Sequence, residues 1–122
     1  LFVYTSDNGF LFGEHGLVDK RCMYEPSIRV PLILHCPALF EGNRHLGEIV
    51  TNLDIAPTIL EAAGLDVPDS MQGESMLPLL TGERPAWRDA FLYEYFWERS
   101  FPQTPTVIGI RTETHKLMVY HG

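Results

Sequence analysis

The chain has 122 residues, of which 45% are hydrophobic and 20% are charged, and its formal net charge at pH 7 is −7. This composition is typical of a soluble globular protein that is long enough to bury a core. The acidic excess argues against a nucleic-acid or membrane-surface partner, because both favour clustered lysine and arginine.

The chain opens with a predicted strand that ends in polar residues. Leu1 to Thr5 is apolar and β-rich, and Ser6-Asp7-Asn8-Gly9 follows directly. Such a run is typical of a strand buried on both faces of a sheet. Asp7 and Asn8 would then offer two oxygen ligands at its carboxyl end, where open α/β sheets bind ligands, and Ca²⁺ prefers such oxygens. The same residues also suit a simple tight turn.

The next segment, residues 10–25, is predicted to be a glycine-containing loop with one helical turn. Lys20 in this loop is ordinarily a solvated surface charge, and His15 between two glycines is ordinarily exposed or a hydrogen-bonding organiser of the loop. A lysine this close to two oxygen ligands could instead help a metal to hold an anionic substrate. Glu25 and Arg29 are predicted to pair locally.

Residues 29–36 predict a second buried strand, with prolines near its ends. Asp54 is predicted to cap a helix that ends at Gly64. This helix would place four apolar residues on one face, namely Ile55, Ile59, Leu60 and Ala63. Residues 66–85 are rich in Pro, Gly, Ser and Asp, so they predict a connection, with one short apolar turn at residues 77–80.

Short β-type runs at residues 90–95, 107–111 and 116–120 follow. The last two are separated by residues 112–115, a length suited to a hairpin. The aromatic side chains in and after the first run are predicted to pack in the core and at its rim; they are Tyr93, Tyr95, Phe96 and Trp97. The fold class predicted from these elements is α/β, with a parallel, helix-covered part followed by a small antiparallel part.

The two cysteines, Cys22 and Cys36, are compatible with a disulfide in an oxidising compartment and with two thiols in a reducing one. Their spacing is not that of a metal site. No apolar run approaches the length of a transmembrane helix, so we expect no membrane span.

The order and spacing of these segments resemble the sulfatase family, within the alkaline-phosphatase-like superfamily of metal-dependent ester hydrolases. The matching segments are Ser6-Asp7-Asn8-Gly9, Gly13-Glu14-His15-Gly16, Tyr24 to Pro31, Thr51 to Gly64, Met71 to Gly82, Tyr93-Glu94-Tyr95 and Ile110 to Leu117. They cover nearly the whole chain in order, which makes the resemblance specific although each segment alone is weak.

Two family features are absent from this sequence. Sulfatases carry a Cys-x-Pro-x-Arg or Ser-x-Pro-x-Arg signature whose first residue becomes formylglycine, the nucleophile. Neither Cys22 nor Cys36 begins such a signature. Ser100 has the required proline two positions later, at Pro102, but Thr104 stands where the arginine is required. The early pair of metal-binding aspartates is also missing. The resemblance is therefore to the C-terminal portion of a sulfatase catalytic domain.

The resemblance implies a fold in two parts. Residues 1–85 would form part of an alkaline-phosphatase-like parallel sheet with flanking helices, as the C-terminal part of the catalytic domain. Residues 86–122 would begin the smaller antiparallel C-terminal subdomain.

The resemblance also implies a site. Asp7 and Asn8 would bind Ca²⁺, with further ligands outside this chain, where the formylglycine also lies. Lys20 would be a catalytic and substrate-binding residue that contacts the sulfate oxygens, with the adjacent Arg21 as its alternative. His15 would contact the substrate.

The function implied is hydrolysis of sulfate esters of a small molecule or a carbohydrate, carried out together with a missing N-terminal portion of the same enzyme. One alternative is a phosphodiesterase or phosphonate hydrolase of the same superfamily, and another is a non-catalytic interaction fragment. The family points to the periplasm or the extracellular space.

Overall fold

In the computed structural model, which describes residues 1–121, the chain divides into two compact units. The first unit contains residues 1–4 and 33–88, and the second contains residues 5–32 and the chain from Asp89 onward. The strands are β1 (Phe2–Tyr4), β2 (Leu11–Phe12), β3 (Val18–Asp19), β4 (Ile33–His35), β5 (Ala90–Tyr95), β6 (Thr106–Thr112) and β7 (Lys116–His121). The helices are α1 (Glu25–Ile28), α2 (Ile55–Ala62) and α3 (Leu77–Thr81), with 3-10 turns at Glu14–Gly16 and Asn52–Asp54.

The first unit contains a two-stranded sheet. Strand β1 pairs with β4, and both were predicted as strands, but the pairing is antiparallel, with Val3 opposite Leu34. All strand pairs among residues 1–121 are antiparallel, so the predicted parallel sheet is not found there. Burial on both faces needs a layer on each side of a strand, whereas Phe2 and Tyr4 are 58% and 55% exposed.

Helix α2 forms where it was predicted. Gly64 adopts a left-handed backbone, with φ of 73°, and its N–H donates to the Glu61 carbonyl, which ends the helix as expected. The predicted apolar face is only partly buried, because Ile59 is 46% exposed, while Pro57 and Thr58 are the buried residues of the helix. The Thr58 hydroxyl accepts from the backbone N–H of Met76 at 2.8 Å, so a polar contact and not an aliphatic stripe joins α2 to the start of α3.

The second unit is built on a three-stranded antiparallel sheet in the order β5, β6, β7. The predicted strand at residues 90–95 and the predicted hairpin are both confirmed, with Arg111 opposite Lys116 beside the turn. A Cβ on Gly109 would overlap the Met23 sulfur and the Leu117 carbonyl. Met23 is fully buried, so its side chain packs on this glycine and holds the segment after Lys20 against the sheet.

The aromatic residues predicted to pack in the core and at its rim differ in their surroundings. Tyr93 is partly buried, and burial raises its pKa to about 12. Phe96 and Trp97, by contrast, are 62% and 52% exposed.

Both cysteines are free thiols. Cys22 is buried in the second unit, and Cys36 is partly exposed in the first. Across residues 1–121, none of the helices is long and apolar enough to span a membrane.

Candidate functional site

The loop after β1 carries Asp7 and Asn8, and Gly9 fixes its position. The Gly9 N–H donates to the Ser27 carbonyl at 2.8 Å, and a Cβ at this position would overlap the Pro26 carbonyl. Only glycine allows this close approach. The contact holds the loop that contains Asp7 and Asn8 against α1.

Lys20 lies beside this loop, as predicted from the sequence. Its ammonium Nζ donates to Asn8 Oδ1 at 3.0 Å. The orientation of the Asn8 carboxamide is set on its other side, where Nδ2 donates to the Gly9 carbonyl at 2.7 Å. The backbone at Lys20 is held by the buried Ser27 hydroxyl, which donates to the Lys20 carbonyl. Ser27 is therefore a positioning residue that the sequence analysis did not identify.

Asp7 is exposed and ionised near neutral pH. Its pKa lies below the ordinary value of 3.8, chiefly because the backbone N–H of Asn8 stabilises the carboxylate, with smaller contributions from the Ser6 hydroxyl and the Lys20 charge. The Ser6 hydroxyl also donates to the Asn8 carbonyl at 2.9 Å. Asp7, Asn8 and Lys20 thus form one polar cluster, which we call the Lys20 cluster.

His15 lies in the same unit but contacts a different partner. Its backbone is left-handed, with φ of 56°, and its ring stacks on Tyr24 with the ring centroids 4.1 Å apart. The side chain is exposed. The structure therefore places His15 on the surface of the loop, and its predicted contact with substrate stays a prediction.

Arg21 is engaged in ways that Lys20 is not. Its Nη1 pairs with Asp19 Oδ1 at 2.7 Å, and its Nε lies 3.3 Å from Glu98 Oε1. Its guanidinium also lies over the Phe101 ring, 3.2 Å from the centroid. These contacts occupy the planar guanidinium, so Lys20 is better suited than Arg21 to meet a ligand.

Glu25 pairs across the second unit and not locally. The predicted partner Arg29 is replaced by Arg111, whose Nε lies 3.0 Å from Glu25 Oε1, and by Lys116, whose Nζ lies 2.6 Å from the same oxygen. Lys116 also donates to the Met23 carbonyl at 2.8 Å. These bonds, that of Arg111 first, hold the pKa of Glu25 below its ordinary value of 4.5. The network ties α1 to the sheet.

Asp54 occupies the predicted N-cap position of α2, but its side chain makes no capping bond to that helix. It is fully buried, and its carboxylate takes two hydrogen bonds from Arg88, at 2.5 and 2.7 Å. The backbone N–H groups of Thr51 and Glu74 donate to it as well. Burial opposes ionisation most strongly, but the Arg88 and backbone bonds outweigh it together and lower the pKa of Asp54. This is a structural ion pair of the first unit.

The donors of the Lys20 cluster suit Ca²⁺ in kind. Asp7 and Asn8 supply a carboxylate and a carboxamide oxygen, the types that Ca²⁺ prefers, but Ca²⁺ takes six to eight. Within residues 1–121 no three His, Cys, Asp or Glu side chains come together as a metal-binding group. Two such oxygens are too few for a complete site, so calcium binding by Asp7 and Asn8 stays a prediction.

Comparison with known proteins identifies the relatives of this chain. A family model described as "N-sulphoglucosamine sulphohydrolase, C-terminal" matches residues 13–122. An N-acetylglucosamine-6-O-sulfatase of Bacteroides thetaiotaomicron is 42% identical over 100% of this chain and 22% of its own length. The human N-acetylglucosamine-6-sulfatase is 42% identical over 84% of this chain and 19% of its own length. The chain thus spans about a fifth of these curated relatives.

Solved structures of two kinds of hydrolase also match this chain. The structure of BT4656 in complex with its substrate, D-glucosamine-2-N,6-O-disulfate, matches 98% of this chain and 25% of its own, with 40% identity and a TM-score of 0.83. A phosphonate monoester hydrolase from Silicibacter pomeroyi matches 97% of this chain and 26% of its own, with 28% identity and a TM-score of 0.78.

Proposed function

This chain belongs to the sulfatase family, and we propose that the full protein hydrolyses sulfate esters of amino sugars. The observation that carries the proposal is the 3.0 Å contact between Lys20 Nζ and Asn8 Oδ1. An ammonium has three N–H donors, so two remain for sulfate oxygens once Asn8 has taken one. In a chain of net charge −7, Lys20 supplies a local positive charge for the sulfate ester, and a cation bound by Asp7 and Asn8 would add to it.

Lys20 acts through preorganisation. Ser27 fixes its backbone, and Asn8 directs its ammonium, so the charge does not have to be reoriented during the reaction. A donor held in this way stabilises negative charge that develops on the substrate oxygens in the transition state.

The full proposal includes Ca²⁺ and a formylglycine nucleophile, both completed by residues outside this chain. Asp7 and Asn8 would hold the ion, which supplies positive charge that polarises the sulfate oxygens. The lowered pKa of Asp7 keeps its carboxylate ionised for this purpose. Asn8 Oδ1 has two lone pairs, so it can accept from Lys20 and still offer an oxygen to the cation.

We also propose that the rest of the protein, including an N-terminal portion, completes a parallel sheet around β1. The exposed Phe2 and Tyr4 side chains support this, because a strand of such apolar composition is stable when covered on both faces.

The substrate class follows from the relatives. Two of the relatives are named as sulfatases that act on N-acetylglucosamine 6-sulfate. The structure of a third contains a sulfated glucosamine as its substrate. We therefore propose a glucosamine 6-O-sulfate, free or within a polysaccharide.

The test is Lys20→Ala in the full protein. Turnover of D-glucosamine-2-N,6-O-disulfate, measured as sulfate release, should fall about 10²–10³-fold, while the thermal midpoint stays close to that of the wild type. Lys116→Ala is the matched control, because Lys116 is a partly buried lysine that pairs with Glu25. It should lower the thermal midpoint and leave kcat of the folded enzyme nearly unchanged. Normal turnover in Lys20→Ala would contradict the assignment.

The second candidate is a phosphonate or phosphodiester hydrolase, which the Silicibacter pomeroyi structure favours. Lys20 would serve phosphoryl oxygens equally well, so the cluster alone does not separate the two. The higher identity to BT4656, 40% against 28%, supports the sulfatase. Assaying one preparation with an aryl sulfate and with a phenylphosphonate monoester decides between them.

A further inference from the structure

The segment from Phe96 to Pro102 is an ordered loop that presents aromatic surface. Phe96 and Trp97 are 62% and 52% exposed. Turn hydrogen bonds run through the loop, from Phe101 N–H to the Glu98 carbonyl at 2.9 Å and from Thr104 N–H to the Phe101 carbonyl at 3.0 Å. We call this segment the aromatic loop.

The indole of Trp97 is fixed while its surface stays open. The Trp97 backbone N–H donates to the Thr106 hydroxyl at 2.8 Å, and its ring N–H donates to the Pro102 carbonyl at 3.3 Å. A ring held in this way would lose less side-chain entropy on binding a partner than an unanchored ring would.

The aromatic loop is tied to the residues around Lys20. Asp19 Oδ1 accepts from the Lys20 N–H at 2.6 Å and from Arg21 Nη1 at 2.7 Å, so one oxygen links the two residues. Arg21 in turn pairs with Glu98 and lies over the Phe101 ring. All of these residues belong to the second unit.

We propose, on the basis of the function proposed above, that Trp97, with Phe96 beside it, stacks on the sugar ring of the substrate whose sulfate Lys20 binds. A pyranose ring has an apolar C–H face that an aromatic ring covers, whereas inorganic sulfate has none. The occupant is a glucosamine ring, because the structure related at 40% identity holds a sulfated glucosamine. Arg21 and Glu98 are positioning residues that hold the loop beside Lys20.

The test separates the two halves of the substrate. The full protein is titrated by NMR with glucosamine and, separately, with inorganic sulfate, the sugar and the anion that the reaction releases, so neither probe is consumed. Trp97→Ala should weaken glucosamine binding about tenfold and leave sulfate binding within about twofold. Lys20→Ala should show the reverse pattern. Trp97→Phe keeps an aromatic ring and should restore most of the affinity for glucosamine.

Two further variants sharpen the test. Leu92→Ala removes an apolar side chain that is as exposed as Phe96, at 62%, from the same strand region. It should leave both affinities unchanged. Glu98→Ala releases the loop from Arg21 and should weaken glucosamine binding by less than Trp97→Ala does, with sulfate binding unaffected.

The outcomes decide the two proposals separately. Unchanged glucosamine binding in a folded Trp97→Ala protein overturns the stacking role and leaves the sulfatase function standing. A protein that releases no sulfate, but whose glucosamine binding depends on Trp97, overturns the reaction and supports the stacking surface. Equal weakening of glucosamine and sulfate binding in Trp97→Ala overturns the stacking role, since it indicates a structural one.

Discussion

Two cationic side chains of this chain differ in the burial of the group that they bind. Arg88 lies in the first unit and Lys20 in the second. Arg88 binds both oxygens of a fully buried carboxylate, which two backbone N–H groups also contact. Lys20 binds one neutral carboxamide at a partly exposed site beside the exposed Asp7. A cation whose guanidinium binds both oxygens of a buried carboxylate stabilises the fold, whereas an ammonium with N–H donors to spare is available to a ligand.

The largest effect should come from breaking the buried pair. Arg88→Met leaves the Asp54 carboxylate buried without its main partner, which we expect to cost about 3–5 kcal/mol of local stability. Native-state hydrogen exchange at the α2 amides measures this loss. Arg84→Met, at an exposed arginine of the same unit, is the control and should change stability by no more than about 0.5 kcal/mol. If the α2 amides were equally protected from exchange in both variants, Arg88 would not have the structural role that distinguishes it from Lys20.

A smaller effect is expected where the geometry of the Lys20 cluster is disturbed. In Gly9→Ala the new Cβ meets the Pro26 carbonyl, so the loop must shift, at a cost of about 1–3 kcal/mol. The shift moves Asn8 away from Lys20, and sulfate release should fall with it. Gly42→Ala is the matched control, since its Cβ meets nothing within 4 Å. If both variants release sulfate at the wild-type rate, the alignment of Asn8 is unimportant.

The smallest effect is expected at Glu25. Its side chain is 40% exposed, which is more than the buried Asp54 and less than the exposed Asp7. Its lowered pKa means that its ion pairs stabilise the fold above the ordinary pKa of 4.5, and that this contribution disappears as the pH falls through the depressed value. Glu25→Gln should therefore cost under about 1 kcal/mol at pH 7 and almost nothing below the depressed pKa. Thermal midpoints of both proteins from pH 7 to 2.5 test this, and a difference that persists in acid would place the effect in packing.

The parts of the fold that follow from local pattern were predicted well. Strand β5 was indicated by a short β-type run, the β6–β7 hairpin by the length of its turn, and helix α2 by its terminal glycine. The proximity of Asn8 and Lys20 was also expected, because a short loop separates them.

The parts that depend on distant partners were not. The sequence predicts that Asp54 caps a helix, but its carboxylate binds Arg88, 34 residues away. The sequence likewise predicts Arg29 as the partner of Glu25, whereas the structure shows Arg111, 86 residues away. A prediction from sequence favours ion-pair partners that are near in the chain, whereas the actual partner is the one that folding brings close in space. The antiparallel pairing of β1 with β4 was missed for the same reason, because the sequence of neither strand specifies the direction of its partner.

The unequal burial of the two free thiols provides a built-in chemical reporter of opening motions. Cys22 is 9% exposed in one unit, and Cys36 is more accessible in the other. An alkylating reagent should modify Cys36 rapidly and reach Cys22 only when the second unit opens. Mass spectrometry of time-quenched samples would then follow the opening of the second unit through Cys22, with Cys36 as an internal measure of the reagent's reactivity.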